Sequence, residues 1–165
     1  MLIKSLALAC GLVLGGPVSA LAAPKPIDGV LAHFVGQWSI TGTTLGKPAV
    51  TGAEVEPEFD GNFLELHIKD PSGRDSYEAR VYFGTDASGQ LVVHWLDATG
   101  GETSRTLGGG QVQGDLVTLN FPYPDGAFRD RLTYDRAQDR WRLFIEMGPA
   151  DHPRVFSDWF FKRRN

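Results

Sequence analysis

The sequence predicts an all-β protein, a single antiparallel up-and-down barrel of about 8–10 strands with a short N-terminal helix. Three observations predict it. Strand-length runs follow one another at a spacing of about 8–12 residues, each bounded by Gly, Asp, Asn or Pro. No stretch after the N-terminal region carries a long helical period. No linker, repeat or low-complexity tract divides the chain, so the strands belong to one domain, and closure into a barrel is the arrangement that leaves no exposed edge.

Residues 1–22 read as a signal peptide rather than as part of the fold. Lys4 forms a positive n-region, Leu6 to Val18 an apolar core, and Ala20-Leu21-Ala22 an Ala-Xaa-Ala cleavage site, with maturation before Ala23. The run is short and broken by Gly11, Gly15, Gly16 and Pro17, which does not suit a membrane span. Cys10 raises a lipoprotein alternative, yet only about five apolar residues would precede that cut, against the ~7–15 of a normal apolar region. The expectation is therefore a bacterial periplasmic or secreted protein with no stable membrane insertion after processing. The domain then spans 23–165.

Processing removes Lys4 from the 16 Lys and Arg, leaving 15 against 20 Asp and Glu, a formal net charge of −5. It also removes the only cysteine, so the 143 residues that follow the 22-residue leader form no disulfide. A domain of that length buries enough core to need none. The acidic balance offers no basic stripe and argues against nucleic acid as a partner, and Lys162, Arg163 and Arg164 read merely as a charged tail.

Along the chain, Ile27, Val30, Leu31 and Phe34 recur at helical spacing behind Pro26, a helix too short to stand alone. It leads into Gly36-Gln37-Trp38, where Gly36 permits a tight turn and Trp38 is large enough to cover one end of a barrel. Strands are expected over 38–44, 49–59, 63–69, 76–83, 91–97, 102–107, 116–121, 128–134, 141–147 and 154–161. Pro57 marks an edge or bulge. Asp60-Gly61-Asn62 is a hairpin signal, and Asp70-Pro71-Ser72-Gly73 a turn. Gly108-Gly109-Gly110 is expected to break the chain, leaving Gln111-Val112 as a stub paired across Gly114-Asp115.

Period-two patterning assigns faces. Leu64, Leu66 and Ile68 point inward opposite Glu65, His67 and Lys69. Tyr77, Ala79, Val81 and Phe83 point inward, as do Trp141, Leu143, Ile145 and Met147, and Phe128, Asp130, Leu132 and Tyr134. The strand 91–97 is apolar on both faces, and Val93, Trp95 and Asp97 are taken as the inner set. In 154–161 the pattern does not decide between Val155, Ser157, Trp159 and Phe161 on one side and Phe156, Asp158 and Phe160 on the other.

These features resemble the calycin superfamily of lipocalins and fatty-acid-binding proteins. More closely, they resemble a family of exported bacterial lipocalin-like domains of unknown function. The likeness rests on the Gly36-Xaa-Trp38 start, the Phe59-Asp60-Gly61-Asn62-Phe63-Leu64 hairpin, the Gly84-Xaa-Asp86 turn, the Trp95-Xaa-Asp97 strand end and the closing Phe160-Phe161-Lys162-Arg163-Arg164, and it covers nearly all of 30–164. It implies a barrel with one interior cavity and no particular activity.

The chemistry is sparse. His33, His67, His94 and His152 show no metal-ligand spacing, and no Gly-Xaa-Ser-Xaa-Gly elbow is present. No cofactor is expected; the one weak haem candidate is His152, just before the last strand, although Asp151-His152-Pro153 reads more simply as a turn. Asp97 and Asp130 are the carboxylates expected inside. Asp97 reads either as a turn cap or as a ligand contact. Asp130 reads either as a cross-strand partner of Arg129 or Arg131 or as a ligand contact. The reading favoured by the sequence is a non-enzymatic barrel binding a small apolar or amphipathic molecule, lined by Tyr77, Val81, Trp95, Asp97, Asp130, Leu132 and Tyr134, with Gly36 and Trp38 closing one end. The alternatives are a packed interaction module without a ligand and an isomerase or hydrolase using an interior Asp.

Overall fold

The computed structural model describes residues 29–70, 72–73, 77–124 and 126–164. The signal-peptide reading, the first residues of the N-terminal helix, Pro71 and Ser76 lie outside the described residues. A 3-10 helix, Gly29–Phe34, leads into ten strands: β1 Gly36–Thr44, β2 Lys47–Glu58, β3 Phe63–Lys69, β4 Glu78–Thr85, β5 Leu91–Asp97, β6 Leu107–Gln113, β7 Leu116–Phe121, β8 Phe128–Asp135, β9 Arg140–Met147 and β10 Arg154–Arg163. Each pairs antiparallel with its neighbour in sequence, and β10 returns to β1 to close the barrel.

One segment departs from the sequence reading. Residues 102–106 form no strand, and the glycine run lies inside β6, where Gly108, Gly109 and Gly110 pair with Val93, Val92 and Leu91 of β5. The missing side chains are the reason. A Cβ on Gly108 would meet the Phe121 ring at 2.6 Å, and one on Gly110 the Thr118 carbonyl at 2.1 Å. Glycine here admits close neighbours rather than ending the strand. Pro57 marks a local edge and no bulge. It pairs with Leu64 of β3 beyond Val55↔Gly36, the last β1–β2 pair, so no β1 residue stands opposite it. The bulge falls in β10, between Val155 and Ser157, and puts Ser157, Trp159 and Phe161 inside.

The closed end is tightly knit. Phe34 drops from the 3-10 helix onto Trp38, Trp141 and Phe161, at ring separations of 5.7, 4.9 and 5.3 Å. Trp38 Nε1 donates to the Phe34 carbonyl at 2.7 Å. Arg163, at the end of β10, lies over the Trp38 ring at 4.2 Å and donates to the carbonyls of Val35 and His33, each at 2.8 Å, and to Asp139. That guanidinium holds Asp139 below the usual carboxylate range. Gly36 is required twice over: its φ of +129° favours glycine, and a Cβ there would meet Arg163 Nη1 at 2.5 Å. Arg163 is therefore a clasp, not a solvated tail. Phe160 is the aromatic of β10 that faces out, beneath the guanidinium groups of Arg140 and Arg142.

Candidate functional site

The opposite end holds the candidate site. The loops β1–β2, β3–β4, β5–β6, β7–β8 and β9–β10 meet there by topology. Tyr77, Trp95, Tyr123, Phe128 and Phe156 stand half-buried against the core at that end. Two linked sets of contacts build the rim. Trp95 Nε1 donates to Tyr77 Oη at 3.2 Å, and Tyr77 Oη donates to Asp97 Oδ2 at 3.4 Å. Asp97 Oδ1 accepts from the Thr99 amide at 2.9 Å and from its hydroxyl, while the Asp97 amide donates to Ser104 Oγ at 3.2 Å. The second set is aromatic: Tyr123 lies edge-on to Phe128 at 5.5 Å, and Phe128 edge-on to Phe156 at 5.1 Å. Tyr123 joins the sets by donating its hydroxyl to the Thr103 carbonyl at 2.6 Å.

Asp130 lies one inward position below Phe128 on β8. Its cross-strand neighbours are Leu119 and Ile145. It is 3% exposed, and its Oδ1 has no hydrogen-bond partner. Burial alone pushes its carboxyl up to about 7. The arginine partners expected from sequence are engaged elsewhere: Arg131 pairs with Glu146 at 3.4 Å, and Arg129 donates to the Gly148 carbonyl at 3.0 Å. Both arginines alternate away from the interior, which is the reason neither reaches Asp130. Tyr123 is raised chiefly by burial and then by the negative charges of Asp97 and Asp130, so one hydroxyl feels both carboxylates.

The seven residues expected to line a ligand do not all meet. Tyr77, Trp95, Asp97 and Asp130 belong to the open half. Tyr134 belongs to the closed end, where it stacks on His33 at 4.9 Å and donates to Asp139 at 3.0 Å. Val81 and Leu132, 0% and 1% exposed, are enclosed by the core. Around them Ile40, Val55, Ile68, Val93 and Leu143 are equally enclosed, so the lower barrel is filled by its own side chains instead of enclosing the interior cavity that the resemblance implies.

The histidines take structural places. His152 is exposed in the β9–β10 loop beside Asp151 and does not face the interior, so it offers no axial position for a haem held there. His67 bonds Glu78 at 2.7 Å, and His94 the Ser104 carbonyl at 2.7 Å. Among the described residues no group of three or more His, Cys, Asp or Glu is placed to hold a metal ion, and no helix is long and apolar enough to cross a membrane.

Sequence reasoning missed a second feature. Phe59, Phe63, Tyr82, Val92, His94, Leu96 and Leu107 line an apolar groove of about 380 Å³ on the outer face of β3 to β6. The signal for it was the two-faced apolar pattern of β5, which buries Leu91 and Val93 and leaves Val92 and Leu96 outside. A scan against protein-family models and a search of curated proteins give no match to the chain.

Proposed function

We propose that this chain is an exported, non-enzymatic barrel of lipocalin-like, calycin type that binds a small, mostly apolar molecule at its open end. The observation that carries the reading is the half-buried aromatic rim of Tyr77, Trp95, Tyr123, Phe128 and Phe156 above a polar group that has no partner of its own. Apolar walls with a few convergent polar groups are the usual composition of a small-molecule site. The calycin-type assignment is supported by the short helix, the Gly36-Xaa-Trp38 start and the closed up-and-down topology. Export is supported by the leader pattern, and N-terminal sequencing of the mature protein should begin at Ala23.

Titration with the neutral dye Nile red tests the site. Binding should raise and blue-shift the dye emission, and Trp95→Ala should weaken it about tenfold under conditions where circular dichroism shows the variant fully folded. A Leu96→Glu/Leu107→Glu double variant should bind as wild type does. Loss of binding in that double variant with retention in Trp95→Ala would instead place the dye in the outer groove.

That outcome would favour a second reading, an interaction module acting through its outer face. Its support is the apolar groove itself, in which Phe59 and Leu107 are 67% and 55% exposed, because contiguous apolar surface of this kind marks contact sites.

A further inference from the structure

We infer that the molecule bound at the open end is an organic monocation, an amine on an apolar body, whose charge is taken by Asp130 and whose body rests on the aromatic rim. This rests on reading the open end as a ligand site and adds the ligand's chemical class.

The argument starts from what surrounds Asp130. Its side chain is buried, aimed into the barrel between Leu119 and Ile145, and its Oδ1 lacks a donor. A carboxylate in such surroundings is stable only as the neutral acid or with a counter-charge brought to it. Among the described residues the protein brings none to it. The titratable groups of the rim are Asp97 at the end of β5, of the same sign, and the hydroxyls of Tyr123 in the β7–β8 loop and of Tyr77 just before β4, which carry no positive charge. The arginines on Asp130's own strand are turned outward to Glu146 and Gly148. Lys47, Arg105, His152 and Arg154 on the surrounding loops and strand ends are exposed to solvent.

An anionic ligand would meet two carboxylates here, and the half-buried Arg129, the nearest arginine in sequence, is turned away to the Gly148 carbonyl. A neutral apolar ligand would leave the Asp130 orphan where it is. A cation satisfies the carboxylate, and the faces of Trp95, Tyr77 and Tyr123 add the attraction that aromatic rings exert on ammonium groups. The raised carboxyl gives the site a pH response: ammonium binding requires ionised Asp130, so affinity should climb as pH rises through about 7.

The test pairs two probes that differ only in charge, dansylcadaverine and its N-acetyl derivative, read by dansyl fluorescence. Wild type should bind the amine at least about tenfold more tightly at pH 8, and the preference should shrink at pH 5. Asp130→Asn should abolish the preference and leave the acetylated probe's affinity within about twofold. Because that variant could fold poorly, carbon-13 NMR of wild type supplies a second readout: saturating dansylcadaverine should lower the pH at which the Asp130 carboxyl titrates. Equal binding of the two probes, a preference that survives Asp130→Asn, or an unmoved Asp130 titration overturns the monocation inference while leaving the ligand site standing. No binding of either probe or of Nile red overturns the ligand site itself.

Discussion

Asp130→Asn gives the most direct physical test of the open end, because its effect is fixed by the surroundings already described. The carboxyl titrates near 7 in the folded protein against an ordinary 3.8, with burial as the cause. The folded state therefore holds this proton more tightly than the unfolded state between those two values. Stability must fall as pH rises through that window and level off above it. At 1.36 kcal/mol per unit, the gap of about three units amounts to about 4 kcal/mol lost above pH 7 relative to strong acid. Between pH 5 and pH 8 the loss is roughly 2–3 kcal/mol. Asparagine keeps the shape and cannot ionise. Urea unfolding of wild type and Asp130→Asn at pH 5, 6, 7 and 8 should give stability differences that shift by that amount in favour of the variant as pH rises. Charges common to both proteins cancel in the difference. Profiles that stay parallel to within about 0.5 kcal/mol, the usual scatter of such comparisons, would mean that Asp130 has a partner in solution, and the case for an orphan carboxyl would end.

Two further outcomes test the barrel itself. Arg163→Lys should lower stability by about 1.5–3 kcal/mol in urea unfolding, because a lysine cannot lie flat on Trp38 while donating to Val35, His33 and Asp139; an unchanged midpoint would show that the clasp is idle. Gly42→Ala should cost about 1–3 kcal/mol or more and disturb the emission of Trp159 across the β1–β10 pair. Its Cβ would sit 2.0 Å from the Asp158 carbonyl at a φ of +154°. A near-neutral result would require β1 and β10 to lie farther apart than described.

Much of the architecture was legible because period-two alternation and turn residues act locally. Leu64, Leu66 and Ile68 were placed inside by pattern, and so was Asp130. What failed was what depends on a distant strand. The glycine run of β6 looks like a break until Phe121 and Leu119 are seen filling the space above it. Residues 102–106 look like a strand, but Thr103 and Ser104 spend their hydrogen bonds on the loop, on Gly100 and on the Asp97 amide. Arg163 reads as a charged tail until closure of β10 onto β1 carries it over Trp38. The isolation of Asp130 has the same origin: alternation turns it inward, while the engagement of Arg131 with Glu146 depends on the β8–β9 register.

The two ends divide the work unequally, and the inequality bears on function. At the closed end Phe34, Trp38, Trp141 and Phe161 interlock, and Arg163 ties the last strand to the first. At the open end the aromatics are only half-covered, and an ionisable group lies beneath them in an environment that disfavours its charge. A destabilisation of about 4 kcal/mol is large beside the 5–15 kcal/mol by which domains are normally stable. Leucine at position 130 would fit between Leu119 and Ile145 and remove that cost, so packing alone gives no reason for the carboxyl. A cation arriving through the rim converts the same carboxyl from a defect into the strongest contact in the site, and binding would then recover stability that the empty barrel lacks. On this argument the ligand should raise the unfolding temperature more at pH 8 than at pH 5, whereas a neutral guest held only by the aromatic rim would raise it about equally at both.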